Sequence, residues 1–174
     1  AIVAGLTLNI FNKHADRLMM ANIAQTVNVL QSVILTDGEK MIKTPTYYVF
    51  KMYKEHQENT LVGSYITTPL VNSPNDNKDF PQLCESASVD ENGTIYSTIT
   101  NNSSTKSAKI KCQIADTKVE SITAEILTGE CHQKNDFDNA DNVKTVEFTD
   151  FRKLKDGFTA AIPACSVVKF VINK

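Results

Sequence analysis

Strict alternation of apolar and polar residues is the feature that most constrains this fold. It is clearest in residues 109–114, where the apolar Ile110, Cys112 and Ile114 are separated by lysine or glutamine. Successive side chains of a strand point to opposite faces, so this period of two predicts an antiparallel strand with one buried face and one solvated face.

Similar segments recur throughout the chain after residue 60, separated by turn-rich stretches such as 90–93 and 155–157. Eight strands are predicted, at residues 61–67, 83–89, 95–99, 109–114, 122–126, 143–148, 158–162 and 168–172. Eight short strands indicate a mainly β fold, a jelly-roll-like antiparallel β-sandwich. Residues 75–79 are interpreted as a long polar connection.

The first 57 residues have a different pattern, which predicts helix, strand and helix in that order. Apolar residues from Ile2 to Phe11 recur at helical spacing, and the run 20–35 is apolar and rich in β-branched residues, typical of a buried strand. Thr44-Pro45 predicts a helix start, with Thr44 as the cap and a helix continuing to His56. A single buried strand has no parallel neighbour here, so we expect this segment to expose apolar surface that a longer protein would cover.

Composition excludes several classes of partner. The net charge of -2 and pI of about 5.9 provide no basic stripe for phosphates, so nucleic acid is not an expected partner. No apolar stretch approaches the roughly 20 residues that span a bilayer, so no membrane partner is expected either.

Four widely spaced cysteines without a C-x-x-C motif favour free thiols and a cytoplasmic location. Because the chain starts at Ala1 without Met, the loss of an N-terminal targeting sequence remains an alternative.

Two motifs near the N-terminus resemble a known enzyme family. The run MANIAQTVNVLQ at 20–31, followed by PTYYVFKMY at 45–53, resembles the end of the catalytic barrel in α-L-arabinofuranosidases of glycoside hydrolase family 51. Shorter similarities occur at 8–11, 16–17, 135–139 and 162–168. The resemblance implies that residues 1–57 are the remnant of a (β/α)8 barrel, comprising its seventh helix, eighth strand and eighth helix. Residues 58–174 would then form the C-terminal β-sandwich domain.

The resemblance also implies a function. The family hydrolyses terminal α-L-arabinofuranosyl groups with retention, using one glutamate as acid/base and a second as nucleophile. Neither glutamate motif occurs in this chain, so no catalytic residue is expected here and the chain alone is predicted to be inactive. Its expected partners are an arabinofuranosyl-containing saccharide in the complete enzyme, the missing upstream barrel and further copies of itself, since the family often forms oligomers.

Gln25 is the single substrate-binding residue predicted. It matches the glutamine at the C-terminal end of the eighth barrel strand that hydrogen-bonds the arabinose ring, where ligand-contacting residues collect in such barrels. From composition alone, Gln25 would instead be a core amide bonded to the backbone. A stand-alone β-sandwich that binds carbohydrate without cleaving it is the alternative function, although the absence of Trp weakens it.

No cofactor and no metal site are predicted. His14, His56 and His132 are far apart in sequence and are interpreted as surface or helix-end residues. Asp136, Asp138 and Glu147 match some positions of a calcium loop, but Asp141 occupies the position that requires glycine. The acidic loop is therefore interpreted as a solvated turn, with weak metal binding through its three aspartates as the lesser alternative.

Overall fold

A computed structural model describes residues 1–30, 32–72 and 78–174 of the chain. Two helices and a hairpin precede a set of antiparallel strands. The first part contains α1 (Ile2–Lys13), β1 (Ile34–Asp37), β2 (Lys40–Lys43), α2 (Pro45–Tyr53) and a 3-10 turn (Lys54–His56). The rest contains β3 (Thr60–Val62), β4 (Leu70–Asn72), β5 (Asp79–Pro81), β6 (Leu83–Val89), β7 (Ile95–Asn101), β8 (Ala108–Gln113), β9 (Ser121–Thr128), β10 (Val146–Glu147), β11 (Phe151–Leu154), β12 (Gly157–Ile162) and β13 (Ser166–Asn173).

Two antiparallel sheets pack face to face. The larger has the order β10-β9-β13-β7-β6-β3 and the smaller β11-β12-β8, and two further strand pairs, β1-β2 and β4-β5, stand apart. Between the sheets lies a core in which the rings of Phe158 and Phe170 stack with centroids 4.3 Å apart. The expected mainly β, antiparallel sandwich is confirmed.

The helices form a third layer on the outer face of the larger sheet. Val49 and Met52 of α2 are fully buried there against Leu127 of β9 and Val167 of β13. Gly5 allows α1 to approach β7 closely, because a Cβ at this position would lie only 2.7 Å from Thr100 Oγ1. The larger sheet is therefore covered on both faces.

This third layer corrects the expectation of half-solvated strands. In β8 the alternation corresponds to burial as predicted, with every second residue exposed. In β6 and β7, however, the polar residues that alternate with the apolar ones are also buried, among them Ser86, Ser88, Thr98 and Thr100. A polar face of a strand is solvated only if nothing covers it, and here helices α1 and α2 do.

The strand predicted to begin at Met20 does not form in the described chain. Residues 18–30, all of which the structure describes, contain no strand, only an isolated parallel bridge between Val27 and Ile34. The apolar run reaches strand conformation only at its end, where β1 forms an antiparallel hairpin with β2. A parallel strand needs neighbours for its backbone N–H and C=O groups, and the described chain offers none beside residues 20–26.

Both helices are confirmed, but the expected cap is not. Pro45 occupies the first turn of α2, whereas the Thr44 hydroxyl makes no capping bond and donates instead to the carbonyl of Ser32, at 2.7 Å. Several predicted strands are shorter than expected: 61–67 yields β3 and 143–148 yields only β10. Strands β4, β5 and β11 were not predicted, and residues 75–77 of the predicted polar connection lie outside the described residues.

Candidate functional site

Gln25 lies on the surface, in the irregular segment that joins α1 to the β1-β2 hairpin. Its backbone adopts a positive φ of 48°, and Asn28 adopts 56°, conformations that are uncommon for residues other than glycine. The Asn28 side chain holds this bend by bonding the Thr36 backbone N–H and hydroxyl at 2.7 and 2.8 Å. In the described chain Gln25 is therefore exposed, and not the core amide that composition alone predicts.

An exposed apolar surface surrounds this segment. Among the described residues, seven of the thirteen exposed large apolar side chains fall within the first 30 positions, including Met19 at 99% exposure and Leu30 at 87%. Between α1, residues 21–23 and α2 runs an apolar groove of about 230 Å³, with Leu8, Phe11 and Phe50 in its lining. Contiguous apolar patches on a soluble domain mark surfaces that another body covers.

A buried polar cluster joins the opposite side of α1 to the sandwich. Its centre is Asn9, whose side-chain oxygen accepts hydrogen bonds from Tyr53 Oη, Ser86 Oγ and Thr98 Oγ1, each at 2.8 Å. The Asn9 amide nitrogen donates to the Cys84 carbonyl at 2.9 Å. We call these five residues the Asn9 cluster. Burial raises the pKa of Tyr53 far above its ordinary value, so its hydroxyl stays protonated and available as a donor.

An ion pair lies beside this cluster at the end of α1. Lys13 Nζ contacts Glu85 Oε1, and Ser64 Oγ donates to the other oxygen of the same carboxylate at 2.6 Å. The Glu85 side chain is only 7% exposed. A buried carboxylate requires such partners, so Lys13 helps to fix the register of α1 on β6.

The loop that follows β9 makes a second connection to the N-terminal elements. Asn135 donates through Nδ2 to the carbonyls of Lys43 and Val143, both at 2.8 Å, and accepts the Val143 N–H at 2.7 Å. Tyr48 of α2 donates to Asp141 at 3.4 Å, and burial together with that carboxylate raises the pKa of Tyr48. The 135–139 motif thus contributes an amide that bridges the loop to strand β2.

The three histidines remain apart in the structure. His14 contacts Arg17 at 3.0 Å and His132 lies on the surface. His56 ends the 3-10 turn that follows α2 and is buried, with its ring nitrogens 2.8 Å from Ser88 Oγ and 3.1 Å from Thr98 Oγ1. Burial, and secondarily Lys169, lowers the pKa of His56 to about 4. With Ser88 equally buried, this pair has no access to a substrate and acts in packing.

The acidic loop forms a turn in which the Asp136 side chain bonds the backbone that follows it. Asp136 Oδ1 accepts the backbone N–H groups of Asp138 and Asn139 at 3.2 and 2.9 Å. In the part of the chain that the structure describes, no group of three or more His, Cys, Asp or Glu side chains is arranged to hold a metal ion. Neither described helix is long and apolar enough to cross a membrane.

Comparison with known proteins assigns the chain to a family. The model described as the α-L-arabinofuranosidase C-terminal domain matches residues 1–166. The chain belongs to this family. An intracellular exo-α-L-arabinofuranosidase of Bacteroides ovatus is 40% identical over 169 residues, which are 97% of this chain and 33% of that protein. The chain therefore spans about a third of the length of this curated relative.

Solved structures agree with this family and its fold. The GH51 arabinofuranosidase from Xanthomonas axonopodis pv. citri superposes with a TM-score of 0.93 at 35% identity, covering 98% of this chain and 34% of that one. An α-L-arabinofuranosidase from Thermotoga maritima, solved as an arabinose complex, has the same fold with a TM-score of 0.85 at 23% identity, covering 98% of this chain and 37% of the other. The resemblance to family 51 is thus confirmed.

The sequence patterns do not predict the Asn9 cluster of this arabinofuranosidase C-terminal domain. Asn9 lies within the motif at 8–11, and the sequence alone predicts no role for it. A polar residue one helical turn after Gly5, on the face that a helix buries, is the signal that would have identified it, because Gly5 and Asn9 are the two buried residues of α1. Its four partners are distant in sequence and only the tertiary structure brings them together.

Proposed function

We propose that this chain is the C-terminal part of a retaining α-L-arabinofuranosidase whose catalytic barrel precedes Ala1. The observation that supports it most directly is the 40% identity, over nearly the whole chain, to a relative three times as long. The apolar groove of α1 and α2 and the exposed residues 18–30 are what such a barrel would cover. In this proposal residues 1–57 complete the barrel and residues 58–174 form the sandwich domain.

In this proposal the sandwich holds the last elements of the barrel in place, which is its bracing role. Helices that belong to the end of the barrel are anchored to it through the Val49 and Met52 packing, the Asn9 cluster and the Asn135 bridge to Lys43. Anchoring restricts how the last barrel elements can move, and a glycosidase needs its two carboxylates held about 5 to 5.5 Å apart for retention. Both carboxylates would lie upstream, so no Glu of this chain has a catalytic role.

Gln25 is proposed to hydrogen-bond the arabinofuranosyl ring in the complete enzyme. The motif at 20–31 supports this role, because Gln25 matches the glutamine that contacts the arabinose ring in the family it resembles. Residues 20–26 would gain strand partners from the upstream barrel, and the end of that strand would then present Gln25 at the mouth where barrel enzymes bind their substrates.

Kinetics of the full gene product on a chromogenic α-L-arabinofuranoside test this proposal. Gln25→Ala is expected to lower kcat/KM by about 10- to 100-fold, the effect of losing one or two hydrogen bonds to the sugar. Gln57→Ala is the matched control, since Gln57 is equally exposed but follows α2, and it should leave kcat/KM unchanged. Equal activity of Gln25→Ala and wild type would refute the assignment of Gln25, and no arabinose release by the full gene product would refute the function.

A non-catalytic carbohydrate-binding sandwich is the second candidate. It is favoured by a groove of about 730 Å³ beside α1, where Tyr65 is 90% exposed and Phe80 38% exposed, because aromatic faces can stack on sugars. Calorimetry of the 174-residue chain with arabino-oligosaccharides separates the two candidates. Micromolar affinity that Tyr65→Ala abolishes would establish the binding module, whereas the bracing role predicts no heat of binding.

Further partners and the location follow from the same proposal. The expected substrate is a saccharide with terminal α-L-arabinofuranosyl groups, and assembly into homo-oligomers is expected for the complete enzyme. A cytoplasmic location is proposed because the relative from Bacteroides ovatus is named as intracellular. Sedimentation of the full gene product and fractionation of the source cells test these two points.

A further inference from the structure

Two cysteines that are distant in sequence meet at one end of the larger sheet. The sulfur atoms of Cys131 and Cys165 lie 2.6 Å apart, although both are free thiols. Cys131 follows β9 and Cys165 precedes β13, and these neighbouring strands pair Thr128 with Ser166 at this end. The register of the sheet therefore places the two thiols side by side.

The backbone on both sides holds this arrangement in place. The Thr128 hydroxyl lies 3.4 and 3.5 Å from the carbonyls of Ala164 and Cys165, and the Cys165 N–H donates to the Ser103 carbonyl at 2.8 Å. Cys165 adopts a φ of 49°, which turns the chain sharply between β12 and β13. A disulfide requires two sulfurs about 2.05 Å apart, so only a small displacement separates these thiols from bonding distance.

We propose that Cys131 and Cys165 are a redox-responsive pair that closes into a reversible disulfide when the protein meets a low-molecular-weight disulfide. One protein thiolate attacks a sulfur of the small disulfide, which forms a mixed disulfide and releases one small thiol. The second protein thiolate then attacks the protein sulfur of that mixed disulfide and releases the second small thiol. The two protein thiols are oxidised by two electrons, the small disulfide is reduced to two thiols, and their protons balance.

The environments of the two cysteines decide the order of attack. Cys131 is exposed and can reach a small disulfide, while Cys165 is half-buried. Burial, followed by the contact with Cys131, raises the pKa of the Cys165 thiol to about 11, so it is a poor first nucleophile. Cys131 is therefore the attacking cysteine, and Cys165, whose sulfur lies 2.6 Å from that of Cys131, resolves the mixed disulfide.

A disulfide between these cysteines would connect the loop after β9 to the turn between β12 and β13. The loop after Cys131 contains Asn135, which bonds the Lys43 carbonyl of the N-terminal elements. The turn containing Cys165 lies close to Ala1, where the N-terminal elements begin. An oxidised bond would hold both loops at the seam between the sandwich and the N-terminal elements, and reduction would release them.

Mass spectrometry on the full gene product tests the pair. After incubation with oxidised glutathione, alkylation and trypsin digestion, residues 119–134 and 156–169 should appear as one linked species that dithiothreitol separates. Cys84 and Cys112 lie in the tryptic peptides 79–106 and 112–118 and serve as internal controls that stay alkylated. Oxidation should also raise the thermal unfolding midpoint by about 2–5 °C in the wild type but not in Cys131→Ser.

Cys165→Ser separates the two steps of the reaction. This variant should accumulate the mixed disulfide of glutathione on Cys131, whereas Cys131→Ser should acquire little glutathione at Cys165. The proposal is overturned if the two tryptic peptides remain separate after oxidation, or if Cys84 and Cys112 oxidise as readily as this pair.

Discussion

Removing the side chain of Asn9 should loosen the junction between the helices and the larger sheet. The Asn9→Ala variant deletes an amide that is fully buried and that makes four hydrogen bonds of 2.8 to 2.9 Å. All four join α1 to another element, because Tyr53 belongs to α2, Cys84 and Ser86 to β6, and Thr98 to β7. The change leaves the helix-forming tendency of α1 intact, since alanine favours helices.

The expected loss follows from the bonds that cannot be replaced. Each buried hydrogen bond contributes about 1 kcal/mol, so four bonds set a scale of about 4 kcal/mol. Part of this is recovered, because the Tyr53 hydroxyl can still donate to the Gly5 carbonyl at 3.0 Å and the Ser86 and Thr98 hydroxyls lie 3.2 Å apart. The helix propensity of alanine adds a few tenths of a kcal/mol in the opposite direction. The free energy of unfolding should therefore fall by about 2–3 kcal/mol.

Urea unfolding followed by far-ultraviolet circular dichroism measures this loss. The matched control is Asn12→Ala, because Asn12 lies on the same helix and makes one hydrogen bond, to Ser86 at 3.0 Å. Asn12→Ala should cost about 1 kcal/mol or less. If the two variants lose equal stability, the Asn9 cluster does not anchor α1 and the reasoning fails.

Two further predictions concern charge. Burial lowers the pKa of the His56 imidazole from 6.5 to about 4, so between these values the unfolded chain binds a proton that the folded chain does not. The free energy of unfolding should fall by about 3 kcal/mol as pH drops through this window, and His56→Gln should remove this part of the dependence in urea titrations at pH 4 to 7. Lys13→Met leaves the buried Glu85 carboxylate without its cation and should lower the free energy of unfolding by about 2–4 kcal/mol. Lys144→Met breaks an exposed pair with Asp141 and should lower it by under about 0.5 kcal/mol in the same assay. Equal losses for the two lysine variants, or an unchanged pH profile for His56→Gln, would contradict these assignments.

The predicted strands that agree best with the structure are those with strong local patterns. Residues 83–89 form β6 with the predicted bounds, and β8, β12 and β13 agree within about two residues. Strands β4 and β5 were missed because each has three residues and is exposed or half-exposed along its length. So short a segment shows no period, and its pairing partner decides its conformation.

The segment from Met20 illustrates the opposite failure. Its apolar, β-branched composition is typical of a buried parallel strand, yet residues 18–30 form none within the described chain. The pattern predicts a local preference, but a strand exists only when another strand satisfies its backbone. The site prediction at Gln25 shares this dependence, since the family motif identifies the residue while its position relative to a sugar depends on neighbouring strands.

By itself, the sequence determined the periods and hence most elements, the antiparallel sandwich, and the resemblance to family 51 arabinofuranosidases. The tertiary structure decided which strands pair, that α1 and α2 bury the polar faces of β6 and β7, and that Cys131 lies beside Cys165. The physical reason is the separation along the sequence of the residues that interact. Periodicity belongs to consecutive residues and is visible in a single chain, whereas burial, hydrogen-bond partners and thiol contacts join residues such as Asn9 and Thr98 that are 89 positions apart.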